Sequence, residues 1–394
     1  VVTAVAAAMA GGGACDDPPP GRAPIRLLHT FATRETELVN AQLAERGIAL
    51  DASLVPFARG QQVIGEVLRA GRACPAAVRI DATWLPELVE DGLLAEVPAD
   101  LAALDWLPEA ERLGRGADGR LWAVPQTVDG LVVVRRVGAP APADDGLPAL
   151  IAAARAARSA MATWPLGLRA DGYWLVPWLR ARGADLAPRD AAAATPAVPS
   201  AAPTADPDAD LHALEDFAGL FGTLAPPPPP AGGEAPDELA RWDDRQVAYW
   251  VTGPWVLAGL ADRDILAVTG LRHAPRGGQL LVVPRCAPEP AAGWKLIREL
   301  TDVPLQLAFA TSFASVPTRR AALAGAPPLV VALHAALASA EALPRTALTP
   351  RLFDDLNPAL AAVVSHDATA AEAIAGVRRG WARLAARRRP QAAP

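Results

Sequence analysis

Apolar positions follow two alternating rhythms over the first hundred residues. Residues 24–31 (PIRLLHTF) are a strand candidate. Residues 35–47 (ETELVNAQLAERG) then set Leu38, Val39 and Leu43 on one helical face before Gly47. The pattern repeats: residues 48–57 (IALDASLVPF) read as a strand, residues 61–70 (QQVIGEVLRA) as a helix ending at Gly71, residues 76–81 (AAVRID) as a third strand, and residues 84–92 as a short helix stopped by Gly92. Strands alternating with helices predict a mostly parallel sheet with crossover helices. Residues 121–136 (LWAVPQTVDGLVVVRR) break the alternation. This long extended run, punctuated by Pro125 and Asp129-Gly130, is suited to cross between two lobes. Helix returns over 150–183, a strand over 280–286, a helix over 290–302, a second crossing segment over 308–320, and helix over 368–386.

The 394 residues exceed one ordinary core, so two domains are expected. Residues 186–210 and 225–233 are proline-laden without periodicity and read as flexible insertions. The chain is 52% hydrophobic and 20% charged, as a folded domain with a sizeable core requires. A net charge of −6, with no long basic block, argues against nucleic acid as the main partner. Lys295 is the only lysine among many arginines, which reads as codon bias rather than function. Of the few aromatics, 11 are Trp against 7 Phe and 2 Tyr, and Trp combines the largest flat face with an N–H donor.

Residues 1–10 (VVTAVAAAMA) are apolar, too short to span a bilayer, and fit the hydrophobic region of an export signal. Gly13 and Ala14 before Cys15 resemble a bacterial lipobox, although Gly12 stands where Leu is usual. On that reading residues 1–15 are a signal remnant, Cys15 carries the lipid, and residues 16–24 are a tether. The alternative is an ordinary cysteine near a cleaved signal. Cys74 and Cys286 are two further cysteines whose spacing does not settle whether they pair. The five histidines are scattered singly, and no phosphate loop, nucleophile elbow or dinucleotide fingerprint is present, so no metal or cofactor is expected.

The ordered segments HTFATRETELVN, VRIDATWLPELVEDGLLAEVP, DGRLWAVPQTVDGLVVVRR, DGYWLVPWLRARGAD, AYWVTGPW, APRGGQLLVV, SVPTRRAAL, LFDDLNPALAAVVS and AAEAIAGVRRGW follow the exported Cys. Together they resemble the extracellular solute-binding proteins of carbohydrate-type ABC importers, the group containing the maltodextrin-binding proteins. The resemblance spans nearly the whole mature chain apart from the proline-rich insertions. It departs from the family at Pro75-Ala76, where Pro-Asp is frequent, and at Val132-Val133-Val134-Arg135, where Tyr-Tyr-Asn is common. Both departures bear on the choice of sugar. The family implies a two-lobe periplasmic-binding-protein fold of type II, each lobe a mostly parallel sheet flanked by helices, with the ligand cleft between lobes. It places lobe one at 25–128 and 276–311 and lobe two at 129–275 and 312–390.

The resemblance also implies that the Gly253-Pro254-Trp255 corner brings an indole to the cleft. A pyranose has a C–H face and a hydroxyl edge, so it suits an aromatic plate with polar groups around the rim. Trp255 is therefore the leading ligand contact, while Trp250, inside the apolar run before the corner, reads as core. Asp81, Thr83 and Trp84 follow the third strand, where crevice residues gather in parallel sheets. Asp81 either accepts from hydroxyls or caps the helix that follows. Gln126 and Asp129 lie on the crossing, and Asp129 either binds hydroxyls or makes the Asp-Gly turn. Asp171, Tyr173 and Trp174 match an acidic-aromatic cluster of the second lobe, although at least one of Trp174 and Trp178 is expected to pack internally. Phe31, Glu35 and Phe57 follow the first two strands, and Arg351 either reaches the cleft or is solvated.

The implied function is capture of a carbohydrate by a monomeric, lipid-anchored binder, hinge closure, and delivery to ABC permease subunits without covalent chemistry. Two alternatives share the fold: a binder for another polar solute, and a sensory binding protein. A remote alternative is a glycoside hydrolase using Asp81 and Asp129 as its carboxylates.

Overall fold

The computed structural model describes residues 23–158, 164–186, 206–227, 241–242, 247–260, 263 and 266–388. The proposed lipid site Cys15 and most of both proline-rich insertions (187–205 and 228–233) lie outside these residues, while Ala209 and Asp210 already belong to helix Ala209–Ala218.

The expected alternation is present at the start of the chain. Strands β1 (Ile25–His29), β2 (Leu50–Leu54) and β3 (Ala77–Asp81) pair in parallel, with helices Thr33–Glu45 and Phe57–Ala70 as crossovers. The second of these helices ends at Gly71 in the left-handed conformation, which a residue without Cβ adopts at little cost. β4 (Val124–Gly130) is separated by Leu131 alone from β5 (Val132–Arg136), which enters a second sheet with β6 (Leu166–Gly167), β7 (Tyr249–Thr252) and β8 (Leu266–Thr269). β9 (Pro275–Val282) returns to the first sheet, and the short β10 (Glu341–Ala342) pairs with its start.

The parallel character is confined to part of this architecture. β9 runs antiparallel to β3 and to β4, and β5 runs antiparallel to both β7 and β8. Parallel pairing needs a crossover connection, usually helical. The strands that pass directly between lobes have none, so the sheets are mixed.

Side-chain alternation divides lobe one into two cores. Leu27, Ala77, Val124, Leu281 and Phe309 belong to one cluster, and Ile64, Val78, Ile80, Leu280 and Val282 to the other. A third cluster gathers β5, β7, helix Gly172–Ala181 and the C-terminal helices Thr349–Val364 and Ala370–Arg388. Residues 308–320 correct the expectation of an extended crossing. Helix Val303–Phe313 runs through 308–313 and stops at Ala314, which adopts positive φ. The extended part begins only then, and Val316 bridges Val128 beside the β4 crossing.

Cys74 and Cys286 form a disulfide with Cα atoms 5.9 Å apart. It joins the approach to β3 to the segment after β9, so both anchors flank paired strands of the first sheet. The bond closes a loop containing β3 through β9.

Candidate functional site

β3 carries Arg79 and Asp81 on the same face as Ala77, because strand residues two apart share a face. On β9, Gln279 lies opposite Asp81 and Leu281 opposite Arg79, continuing that face across the sheet. β4 would not follow without an irregularity. Val124 faces Leu281 and Pro125 faces Leu280, but the next paired residue is Thr127, opposite Gln279. Gln126 is the extra residue of a bulge, and one extra residue exchanges the two faces of a strand. Asp129 therefore lies opposite Gly277 on the face that carries Asp81 and Gln279. A bulge at Gln126 is what brings the two aspartates to one surface.

Arg79 is held within this floor. Its Nε donates to Gln126 Oε1 at 2.9 Å, its Nη1 donates to Thr30 Oγ1 at 2.9 Å, and its guanidinium lies 4.4 Å from the Phe31 ring centre. Asp81 uses Oδ1 to accept from the Thr83 amide (2.8 Å) and hydroxyl (2.6 Å), while Oδ2 accepts from Gln279 Nε2 at 3.0 Å. Both readings of Asp81 thus have a structural basis: it caps the turn Ala82–Trp84 and also faces the floor. Burial raises its carboxyl above the ordinary range, against the hydrogen bonds from Thr83 and Gln279. Asp129 is pushed up to about 7 by burial and then by the Asp81 charge, with Arg79 and Gln279 pulling the other way. Gly277 leaves space beneath these groups. A Cβ there would lie 3.3 Å from Asp129 Oδ1 and 4.0 Å from the Tyr173 hydroxyl.

The opposite wall is aromatic. Asp171 Oδ1 accepts from the Tyr173 amide at 2.9 Å, capping helix Gly172–Ala181 and fixing where Tyr173 and Trp174 project. Tyr173 donates to the Pro275 carbonyl at 3.3 Å. Burial, then the Asp129 and Asp81 charges, push its phenol well above the usual range, so it stays protonated. Trp255 is 45% exposed and meets both neighbours edge-on, with ring centres 6.3 Å from Tyr173 and 6.2 Å from Trp174. Its indole folds back over Gly253, where a Cβ would come within 2.1 Å of the ring. Pro254 starts the one-turn helix Pro254–Leu257, a position where its missing N–H costs nothing. Gly and Pro therefore do separate jobs: one turns the chain into the helix, the other clears room for the indole. Trp250 is 2% exposed, lies in β7 and packs on Trp242 with ring centres 5.7 Å apart.

Several expected contacts are corrected by burial. Phe31 lies inside lobe one against Phe309 and beneath Arg79, so it backs the floor rather than facing a ligand. Gln126 is buried and engaged by Arg79. Trp84 is buried with its ring on Gly60 and beside Phe57, leaving the exposed Phe57 as the accessible ring of that pair. Trp174 is buried and donates to the Val251 carbonyl, so it supports Trp255. Trp178 packs internally on Phe217. Glu35 accepts from the Ala32 amide at 2.8 Å, at the start of its helix. Arg351 is engaged as well as solvated, since its Nη2 donates to Glu87 Oε1 at 2.8 Å.

Arg79, Gln279, Thr30 and Gly277 were not among the expected site residues. An arginine inside the apolar strand AVRID was the legible signal for Arg79, because a buried guanidinium needs acceptors around it. No group of His, Cys, Asp and Glu among the described residues has an arrangement that could hold a metal ion.

No protein-family model matches the sequence, and none of the curated proteins does. Solved structures match over most of the chain. The GacH receptor of Streptomyces glaucescens, solved unliganded and with acarbose, superposes with a TM-score of 0.75 at 21% identity, covering 92% of this chain and 98% of the receptor. The fold is that of the maltose-binding proteins. Maltose-bound MalE3 of T. maritima gives a TM-score of 0.75 at 19% identity over 92% of this chain and 99% of its own. The sugar-binding protein MalE of Xanthomonas citri gives 0.73 at 16% identity over 93% and 98%. In that fold two α/β lobes enclose a cleft, and here the Asp81–Gln279–Asp129 floor and the Tyr173–Trp255 wall meet where the chain passes between them.

Proposed function

We propose that the chain is the substrate-binding component of an ABC importer, capturing a sugar or oligosaccharide between its lobes and presenting it to a membrane permease. One observation carries this reading: a half-exposed indole at Trp255 stands beside Tyr173, whose hydroxyl reaches the same glycine as the Asp129 carboxylate. An aromatic plate bordered by carboxylates fits a ring with one C–H face and a hydroxyl rim. The saccharides held by the MalE3 and GacH structures support the same ligand class.

The proposed lobes are 25–128 with 276–311, and 129–275 with 312–390. Ligand bridging them would favour the closed state by the difference between its contacts in the two states. Trp255 would supply the stacking face, with Asp81, Asp129, Thr83 and Tyr173 meeting hydroxyls. Export, a lipid anchor at Cys15 and a monomeric state complete the proposal. The disulfide supports an oxidising compartment. No helix among the described residues is long and apolar enough to cross a membrane.

A thermal-shift panel of mono- and oligosaccharides tests the proposal, with chromatography of the mixtures afterwards. A binder raises the melting temperature and returns each sugar intact. Release of shorter products would favour the hydrolase reading, with Asp81 and Asp129 as its carboxylates. Response to a non-carbohydrate solute alone would favour the other-solute reading.

A further inference from the structure

The floor of the cleft offers more acceptors than a neutral sugar requires. Arg79 feels the fields of Glu35, Asp129 and Asp81, three carboxylates around one guanidinium. Two of its nitrogens are already committed to Gln126 and Thr30. Acceptors, by contrast, are left over. Gln279 is 8% exposed, and while its Nε2 is committed to Asp81, its buried Oε1 has no partner. An unpaired buried acceptor is unfavourable, so a ligand donor reaching this oxygen would be favoured. Asp129 lies next along the same face over the bare backbone of Gly277. The nearest phenol, Tyr173, directs its proton to Pro275.

Resting on the saccharide reading above, we infer that this floor selects a sugar bearing a protonated amine, with the ammonium placed between Asp129 and Gln279 Oε1. An ammonium is a donor with no acceptor, so it satisfies the orphaned oxygen and the carboxylate together. A hydroxyl in its place supplies one donor and no charge. The groups facing Asp129 are Asp81 and Arg79 on β3, Gln279 on β9 and Tyr173 from the second lobe. Of these, Arg79 alone is a cation. The raised Asp129 carboxyl fits a site waiting for positive charge, and binding an ammonium would ionise it.

The test uses the full chain and matched pairs that differ only in one group: glucosamine against glucose, galactosamine against galactose, and the glucosamine β-1,4 dimer against cellobiose. Calorimetry below pH 7 in two buffers of different ionisation enthalpy reads affinity and proton release together. The inference expects at least one amine to bind tenfold or more tightly than its hydroxyl match, with net proton release that the neutral sugar lacks. Asp129→Asn, checked for an unchanged circular dichroism spectrum, should reduce that preference to threefold or less and abolish the release. Neutral sugars binding as well as or better than their amines would overturn this inference and leave the saccharide reading standing. Failure of every sugar in both this set and the wider saccharide panel would remove both. Proton release depends on no mutant, so an unfolded Asp129→Asn protein leaves the inference open to refutation.

Discussion

Arg351 and Glu87 tie the core around the second sheet to the first: the Arg351 guanidinium on helix Thr349–Val364 donates at 2.8 Å to the buried carboxylate of Glu87 on helix Leu85–Glu90. Glu87 also accepts from Gln61 Nε2 at 2.7 Å and from Arg69 Nη2 at 2.8 Å, so its charge is already well compensated within its own lobe. Arg351 keeps 44% of its side chain exposed, and an ion pair of that kind contributes about 0–1 kcal/mol. Arg351→Ala should therefore shift the unliganded protein toward an open form by a factor of about 5 or less. Small-angle scattering would show a larger radius of gyration without ligand and an unchanged one with it. Glu87→Ala should instead destabilise lobe one, because it strips Gln61 and Arg69 of their common acceptor.

Gly253→Ala separates the roles of backbone and ring. The residue has φ −116°, which any amino acid adopts, so the substitution is not strained by its backbone. Its new methyl would instead strike the Trp255 indole, which must swing away. Sugar affinity should fall about as far as in Trp255→Ala, with the loss of melting temperature confined to a few degrees. Titration calorimetry and differential scanning calorimetry on the same sample read both quantities.

The disulfide should matter for stability and not for affinity. It closes a loop across 212 residues of sequence, and loop-closure entropy gives a cross-link of that length roughly 2–5 kcal/mol. Cys74→Ser with Cys286→Ser should lower the midpoint of chemical denaturation accordingly. Ligand affinity should stay within about twofold, because both sulfurs sit in lobe one away from the cleft floor.

Asp129 gives stability a pH dependence whose sign is fixed. Its folded pKa of about 7 lies above the ordinary carboxylate value of 3.8. The folded protein therefore holds this proton more tightly, and the associated stability is present below the ordinary value and lost as pH rises through 7. His29 works oppositely: burial, then the Arg79 charge, lower it to about 4 from 6.5, so its contribution is lost on acidification through 4. Comparing wild type with Asp129→Asn cancels the His29 effect. The variant should be more stable than wild type by about 1–3 kcal/mol at pH 8, after allowance for partial solvent screening, and no more stable at pH 4.

Much of the architecture could be read from periodicity, because β1 through helix Leu85–Glu90 is a local alternation of two rhythms closed by glycines. The separation of Trp250 from Trp255 was legible for the same reason, since one lies in an apolar run and the other follows a Gly-Pro break. The floor was harder. Whether Asp129 meets Asp81 depends on a bulge at Gln126, and one residue of register decides which face a strand presents. Gln279 gains meaning only from pairing with β3, 198 residues earlier in the chain. Phe31 and Trp84 were expected near the ligand because they follow strands, yet close packing on Phe309 and Gly60 turns both inward. The helix Val303–Phe313 was missed because its apolar residues lie on nearly all sides, leaving little helical periodicity to read.

If Trp255 is the plate on which a sugar ring lies, paired truncation of Trp255 and Trp250 separates binding from stability. Using a sugar identified by the thermal-shift panel, dissociation constants and unfolding free energies would be measured for Trp255→Ala and Trp250→Ala. Trp255→Ala should weaken binding by roughly 1–3 kcal/mol, on the scale of aromatic stacking against nucleic-acid bases, while retaining most of its stability. Trp250→Ala should lose about 3–5 kcal/mol of stability, as large-to-small changes in a packed core do. A Trp255→Ala protein that binds the sugar as tightly as wild type would contradict the account.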